Sequence, residues 1–215
     1  MIKKSEKKVS KKIQAKQAYW IVFGMIALIV LVLLIFYLRQ SSYKFEYKTL
    51  SFTIEKSGET TFYHYYHNFE KDNQIYQANT YLRIDPRKND VPAEINTSFP
   101  AAMNVYISVN QTGLSECTDA AIAVATLTQF FATNLLKVRG ATPDLNESLE
   151  KNLRFANCTS NPYNPVILIE KGNETKITQQ RNCYIIDVAQ CEIQKAIEKF
   201  EIKALLDAKD SSAKN

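Results

Sequence analysis

Two histidines, His64 and His67, stand in the run Phe62-Tyr63-His64-Tyr65-Tyr66-His67. On a strand, residues three apart point to opposite faces, so the pair cannot share a metal ion and is expected as surface or interface histidines. Arg83-Ile84-Asp85-Pro86-Arg87 offers a different chemistry. On a strand Arg83 and Asp85 share a face, and Pro86 stops the ladder and leaves Arg87 at its rim. If Asp85 pairs with one arginine, the other is a ready bidentate donor for an anionic partner. Arg83, Asp85 and Arg87 are therefore the candidate binding residues, with Arg87 taken as the free donor. The ordinary alternative is an ion-pair network at a strand end. Cys117, Cys158, Cys183 and Cys191 make an even set without Cys-x-x-Cys spacing or a nearby histidine, which points to disulfides rather than zinc.

Catalytic groupings do not emerge. The chain has no Gly-x-Ser-x-Gly, no His-Glu-x-x-His and no paired-carboxylate motif. Five glycines in the whole chain are too few for a Gly-rich phosphate loop. No catalytic residue, metal or cofactor is expected.

Residues 19–37 run from Tyr19 to Tyr37 without a charge, and as a helix they span roughly 28 Å, about the thickness of a bilayer core. Seven lysines and one glutamate precede the run. This asymmetry places the N-terminus in the cytoplasm and the rest outside, and the size of the apolar run favours an uncleaved signal-anchor. The formal net charge of +5 sits wholly in that tail, so the remainder has no basic surplus for gripping nucleic acid. The expected organisation is a basic tail over 1–17, a transmembrane helix over 18–38, a linker over 39–42 and an extracytoplasmic domain over 43–215. Five Asn-x-Ser/Thr triplets, at Asn96, Asn110, Asn146, Asn157 and Asn173, agree with export as candidate N-glycosylation acceptors. Composition alone predicts about two.

Alternation over Tyr43–Tyr47 and Leu50–Ile54 reads as one bent strand or two short ones; with Thr60–Phe69, Gln74–Ile84 and turns at Ser57-Gly58-Glu59 and Asp72-Asn73 it predicts an antiparallel three-stranded meander. Its many aromatics read as core and cross-strand pairs, with carbohydrate stacking as the functional alternative. A strand over Val105–Val109 precedes a helix over Asp119–Lys137, capped by Thr118 or Asp119. A short helix is expected near Leu145–Phe155. Strands over Val166–Ile169, Thr175–Ile177 and Cys183–Val188 lead to a last helix over Glu192–Ala208. The fold class is α+β or mixed α/β: one mixed sheet packed with two main helices behind the membrane anchor. Pairing Cys117 with Cys158 and Cys183 with Cys191 is preferred among three connectivities.

Tyr81-Leu82-Arg83-Ile84-Asp85-Pro86-Arg87, together with Asn182-Cys183-Tyr184-Ile185-Ile186 and Cys191-Glu192-Ile193, resembles segments of uncharacterised single-pass archaeal membrane proteins. The resemblance implies a cell-membrane location and no activity. The leading functional expectation is a membrane-anchored binding domain for a protein or surface ligand. A subunit of an envelope assembly comes second, and would show a large exposed apolar patch. A tethered enzyme comes third, and would gather Arg83, Asp85 or His64 in a deep pocket.

Overall fold

The computed structural model describes residues 20, 22–35, 43–99, 103–161 and 163–212. The lysine tail, the linker and the flanking Tyr19, Phe36 and Tyr37 of the expected span lie outside them. The chain divides into two units, Met1–Phe45 and Glu46–Asn215. In the first, residues 22–35 form helix α1, whose apolar side chains are exposed. Among the described residues, no helix is long and apolar enough to cross a membrane.

Strands β1 (Lys44–Tyr47), β2 (Leu50–Ser57), β3 (Thr60–Lys71) and β4 (Gln74–Leu82) form one sheet in that order. The β2–β3 and β3–β4 pairs are antiparallel, as the alternation predicts. Two tight turns set their registers. Gly58 takes φ +61 at the first central position of the β2–β3 turn, and Asp72 and Asn73 both take positive φ between β3 and β4. These are the conformations that suit the twist of a two-residue hairpin.

The second sheet runs β5-β9-β10-β8-β6-β7. It comprises β5 (Ala93–Glu94), β6 (Asn104–Val109), β7 (Lys137–Ala141), β8 (Val166–Lys171), β9 (Lys176–Gln180) and β10 (Cys183–Val188). Strands β7, β6, β8 and β10 are parallel, and β9 pairs antiparallel with β10. Helix α2 (Ala120–Thr133) crosses from β6 to β7, and α3 (Leu145–Glu150) precedes β8. Asp144 caps α3, its carboxylate accepting from the Asn146 and Glu147 amides. Helix α4 (Ile193–Ser212) closes the chain.

Three expectations need correction here. Helix α2 ends at Thr133, and the lysine and arginine read as its basic end belong to the edge strand β7. A five-residue strand with one large apolar side chain is too short for periodicity to reveal. The Asp119 side chain makes no cap hydrogen bond. The sheet is not single, either. Helices α2 and α4 pack on one another; α4 also rests on β10, β9 and β5, while α2 reaches both β4 and β7. The two helices thus form a middle layer with a sheet on each side. Phe99, Phe131, Tyr184 and Phe200 fill the space against the second sheet, with ring centroids 5.3 to 6.3 Å apart.

The disulfides follow the parallel strands and overturn the preferred pairing. Cys117 joins Cys191, and Cys158 joins Cys183. Cys183 opens β10, and parallel pairing sets it beside Val166 at the start of β8, just after the loop that carries Cys158. At the opposite edge, the segments leaving β6 and β10 bring Cys117 and Cys191 to a Cα separation of 5.3 Å. Cys183 and Cys191 could not meet, because a six-residue strand of about 20 Å separates them. One bridge therefore staples each end of the sheet.

Candidate binding site

The β3–β4 pairing sorts the aromatic residues onto two faces. Tyr65, His67 and Phe69 lie opposite Thr80, Ala78 and Tyr76 on the inner face, toward the helices. Phe62, His64 and Tyr66 share the outer face with Tyr81, Asn79 and Ile75. The expected division of the two histidines holds.

On the outer face the His64 ring stacks on Tyr81 with centroids 4.2 Å apart, and Phe62 meets Tyr81 edge-on. The His64 Nδ1 lies 2.7 Å from a Glu55 carboxylate oxygen, and Nε2 lies 3.0 Å from the Asn79 side-chain oxygen. These partners fix the ring, and the ring in turn holds Tyr81. Tyr66 remains 54% exposed, Ile75 79% and Tyr81 43%.

Arg83 follows two residues after Tyr81, where β4 has just ended. Its amide and that of Ile84 have no ladder partner. Both donate instead to the Glu198 carboxylate of α4, at 2.7 and 2.8 Å. Gln194 Nε2 donates to the same carboxylate at 2.7 Å. Burial pushes the Glu198 pKa up, and the hydrogen bonds from Arg83, Gln194 and Ile84 oppose that shift. Asp85-Pro86-Arg87-Lys88 then forms a turn closed by the Lys88 amide donating to the Asp85 carbonyl at 2.8 Å. Asp first and Pro second is the chemistry such a turn favours.

Asp85 is buried and pairs with Arg87. Arg87 donates from its backbone amide (3.0 Å), from Nε (2.9 Å) and from Nη2 (2.6 Å). The Arg87 side-chain bond is the main reason the Asp85 pKa lies below its ordinary range. Asp85 thus engages one arginine, but the roles expected of the two arginines are exchanged. Arg87 is committed to Asp85, whereas the Arg83 side chain is exposed and makes no hydrogen bond or ion pair among the described residues.

His67 lines a cavity of about 290 Å³ with Phe69, Phe99, Phe130, Asn134 and Leu205. Burial pushes its pKa down, opposed by a hydrogen bond with Asn134. Among the described residues, no acid, lysine, arginine or cysteine lines this cavity.

The glycosylation triplets are spread over loops, strand ends and helix α3, which holds Asn146. Asn96, Asn146 and Asn173 are exposed, while Asn110 and Asn157 are partly buried. The hydroxyls of Thr97, Ser148 and Thr175 are tied to Asp207, Leu153 and Ala189 respectively, so local structure also requires them.

Sequence reasoning missed Glu198 and Glu201, which lie in α4 between the two sheets and are both buried. No family model matches the chain, and no curated protein or solved structure matches it either.

Proposed function

We propose that the chain is a single-pass membrane protein whose residues 43–215 form an extracytoplasmic domain that captures a protein or surface-ligand partner on the outer face of its first sheet. The observation that carries the binding reading is the strip of Tyr66, His64, Phe62 and Tyr81 ending at the uncommitted Arg83. Exposed tyrosine beside arginine is the composition of binding hot spots. Two disulfides and no free cysteine among the described residues support an oxidising compartment. The uncharged run at 19–37 and the exposed apolar side chains of α1 support the anchor.

Arg83→Ala should weaken partner capture by roughly 1–3 kcal/mol while leaving folding unchanged, the range for a hydrogen bond to a charged group. Arg87→Ala should do the reverse, because it strips a buried carboxylate of its bidentate partner. Surface cross-linking and urea unfolding separate the two effects. Undiminished cross-links in both Arg83→Ala and Tyr81→Ala would exclude this face.

One observation favours the second reading, a subunit of an envelope assembly. Two grooves of about 290 and 440 Å³ run beside α2, sharing Val109, Gln111 and Val124, and the larger extends along the edge strand β7. Leu153 lines the larger and is itself exposed.

A further inference from the structure

The free edge of β4 meets α2 and α4 at a small chamber of about 40 Å³, walled by Asn79, Thr80, Tyr81, Thr126, Gln129 and Glu201, with Phe130. A water-sized particle needs roughly 10–15 Å³, so there is room for a few. Glu201 is 2% exposed and Thr80 4%. Glu201 Oε1 and Thr80 Oγ1 are both buried without a hydrogen-bond partner. Two orphaned oxygens in one polar-walled chamber are costly, since each group forfeits its hydration. An ionised Glu201 accepts only, and the Thr80 hydroxyl both donates and accepts, so a donor or a positive charge in the chamber would satisfy both oxygens.

The charges around the chamber narrow the choice. Glu198, one turn back on α4, is the charge that bears on Glu201. Tyr81 is the titratable group that β4 contributes, and α2 contributes the neutral Thr126 and Gln129. Arg83 bears on Glu198, and His64 reaches the chamber wall through Asn79. Among the described residues, the chamber therefore has one carboxyl group and no cation lining it. Among the described residues, no group of three or more His, Cys, Asp or Glu could hold a metal ion, so a divalent ion is a poor fit.

We propose that the chamber binds one monovalent cation of potassium or ammonium size, held by the Glu201 carboxylate and the Thr80 hydroxyl. Such ions are about as large as a water molecule. Binding exchanges a proton for the ion: Glu201 releases its proton to solvent as the cation enters. Burial, with Glu198 adding to it, pushes the Glu201 pKa well above the ordinary 4.5. Stability due to the neutral acid is complete below that ordinary value and is lost as pH rises through the folded value. A cation in the proton's place restores it. The chamber shares Asn79 and Tyr81 with the outer binding face, but the proposal does not depend on that reading.

The test is thermal unfolding of the full chain in detergent micelles, in potassium, ammonium or N-methylglucamine chloride at equal ionic strength, at roughly pH 5 and pH 8. Potassium or ammonium should raise Tm by several degrees over N-methylglucamine at the higher pH only, and the larger rise identifies the preferred ion. Glu201→Gln should abolish the response and flatten the loss of stability with pH. Thr80→Val should shrink the response while Glu201 still titrates, which provides a second variant if the first fails to fold. Crystals soaked in thallium should show an anomalous peak within the chamber. Equal Tm in all three salts, or no thallium peak, overturns the proposal and leaves the chamber to water.

Discussion

Replacing Cys117 and Cys191 together with serine is expected to lower the unfolding free energy by about 4.4 kcal/mol, and replacing Cys158 and Cys183 by about 3.5 kcal/mol. The bridges span 74 and 25 residues, and each removes loop-closure entropy from the unfolded chain in proportion to the logarithm of that span. A domain's whole stability is roughly 5–15 kcal/mol, so either loss is severe. Equilibrium urea unfolding measures both. Mass mapping of the non-reduced protein should recover the Cys117–Cys191 and Cys158–Cys183 peptides. A peptide joining Cys183 to Cys191 would contradict the parallel β8–β10 pairing on which the layer arrangement rests.

Glu198→Ala is expected to cost roughly 2–6 kcal/mol, because it leaves the Arg83 and Ile84 amides without acceptors and each orphaned buried group costs about 1–3 kcal/mol. Those amides sit where the chain leaves β4, so the loss should also loosen Arg83 and the outer strip. Amide exchange at residues 81–84 should rise together with the fall in stability. A cost under about 1 kcal/mol would mean that water serves the two amides equally well.

These residues also show what the sequence hid. The meander was legible because its strands alternate, and because Gly58 and Asp72-Asn73 mark its turns. Helix α4 was legible as a helix, but only one of its faces was read. Ile193, Ala196, Ile197, Phe200 and Ala204 make one apolar stripe, and Glu198 and Glu201 lie off it, to one side. The first sheet covers that side. Ile202, Leu205 and Leu206, all buried and off the stripe, were the available signal that α4 is enclosed on more than one face. At Arg83-Asp85-Arg87 the expected ion pair formed with the other arginine, Arg87. The Asp-Pro turn decides which arginine can reach back to Asp85, and strand spacing alone does not capture that geometry. The disulfide pairing turned on strand direction. Four consecutive buried residues in Val166–Ile169 hinted at parallel neighbours, yet the pairing followed only once β8 and β10 were known to start at one edge.

Everything proposed for function rests on the domain facing outward from a membrane. Protease added to intact cells tests this most directly, followed by mass analysis of the membrane-bound remainder. The expected result is loss of the chain beyond Arg39, with the lysine-rich tail and the apolar run retained. A domain that stays protected until the cells are lysed would contradict the account.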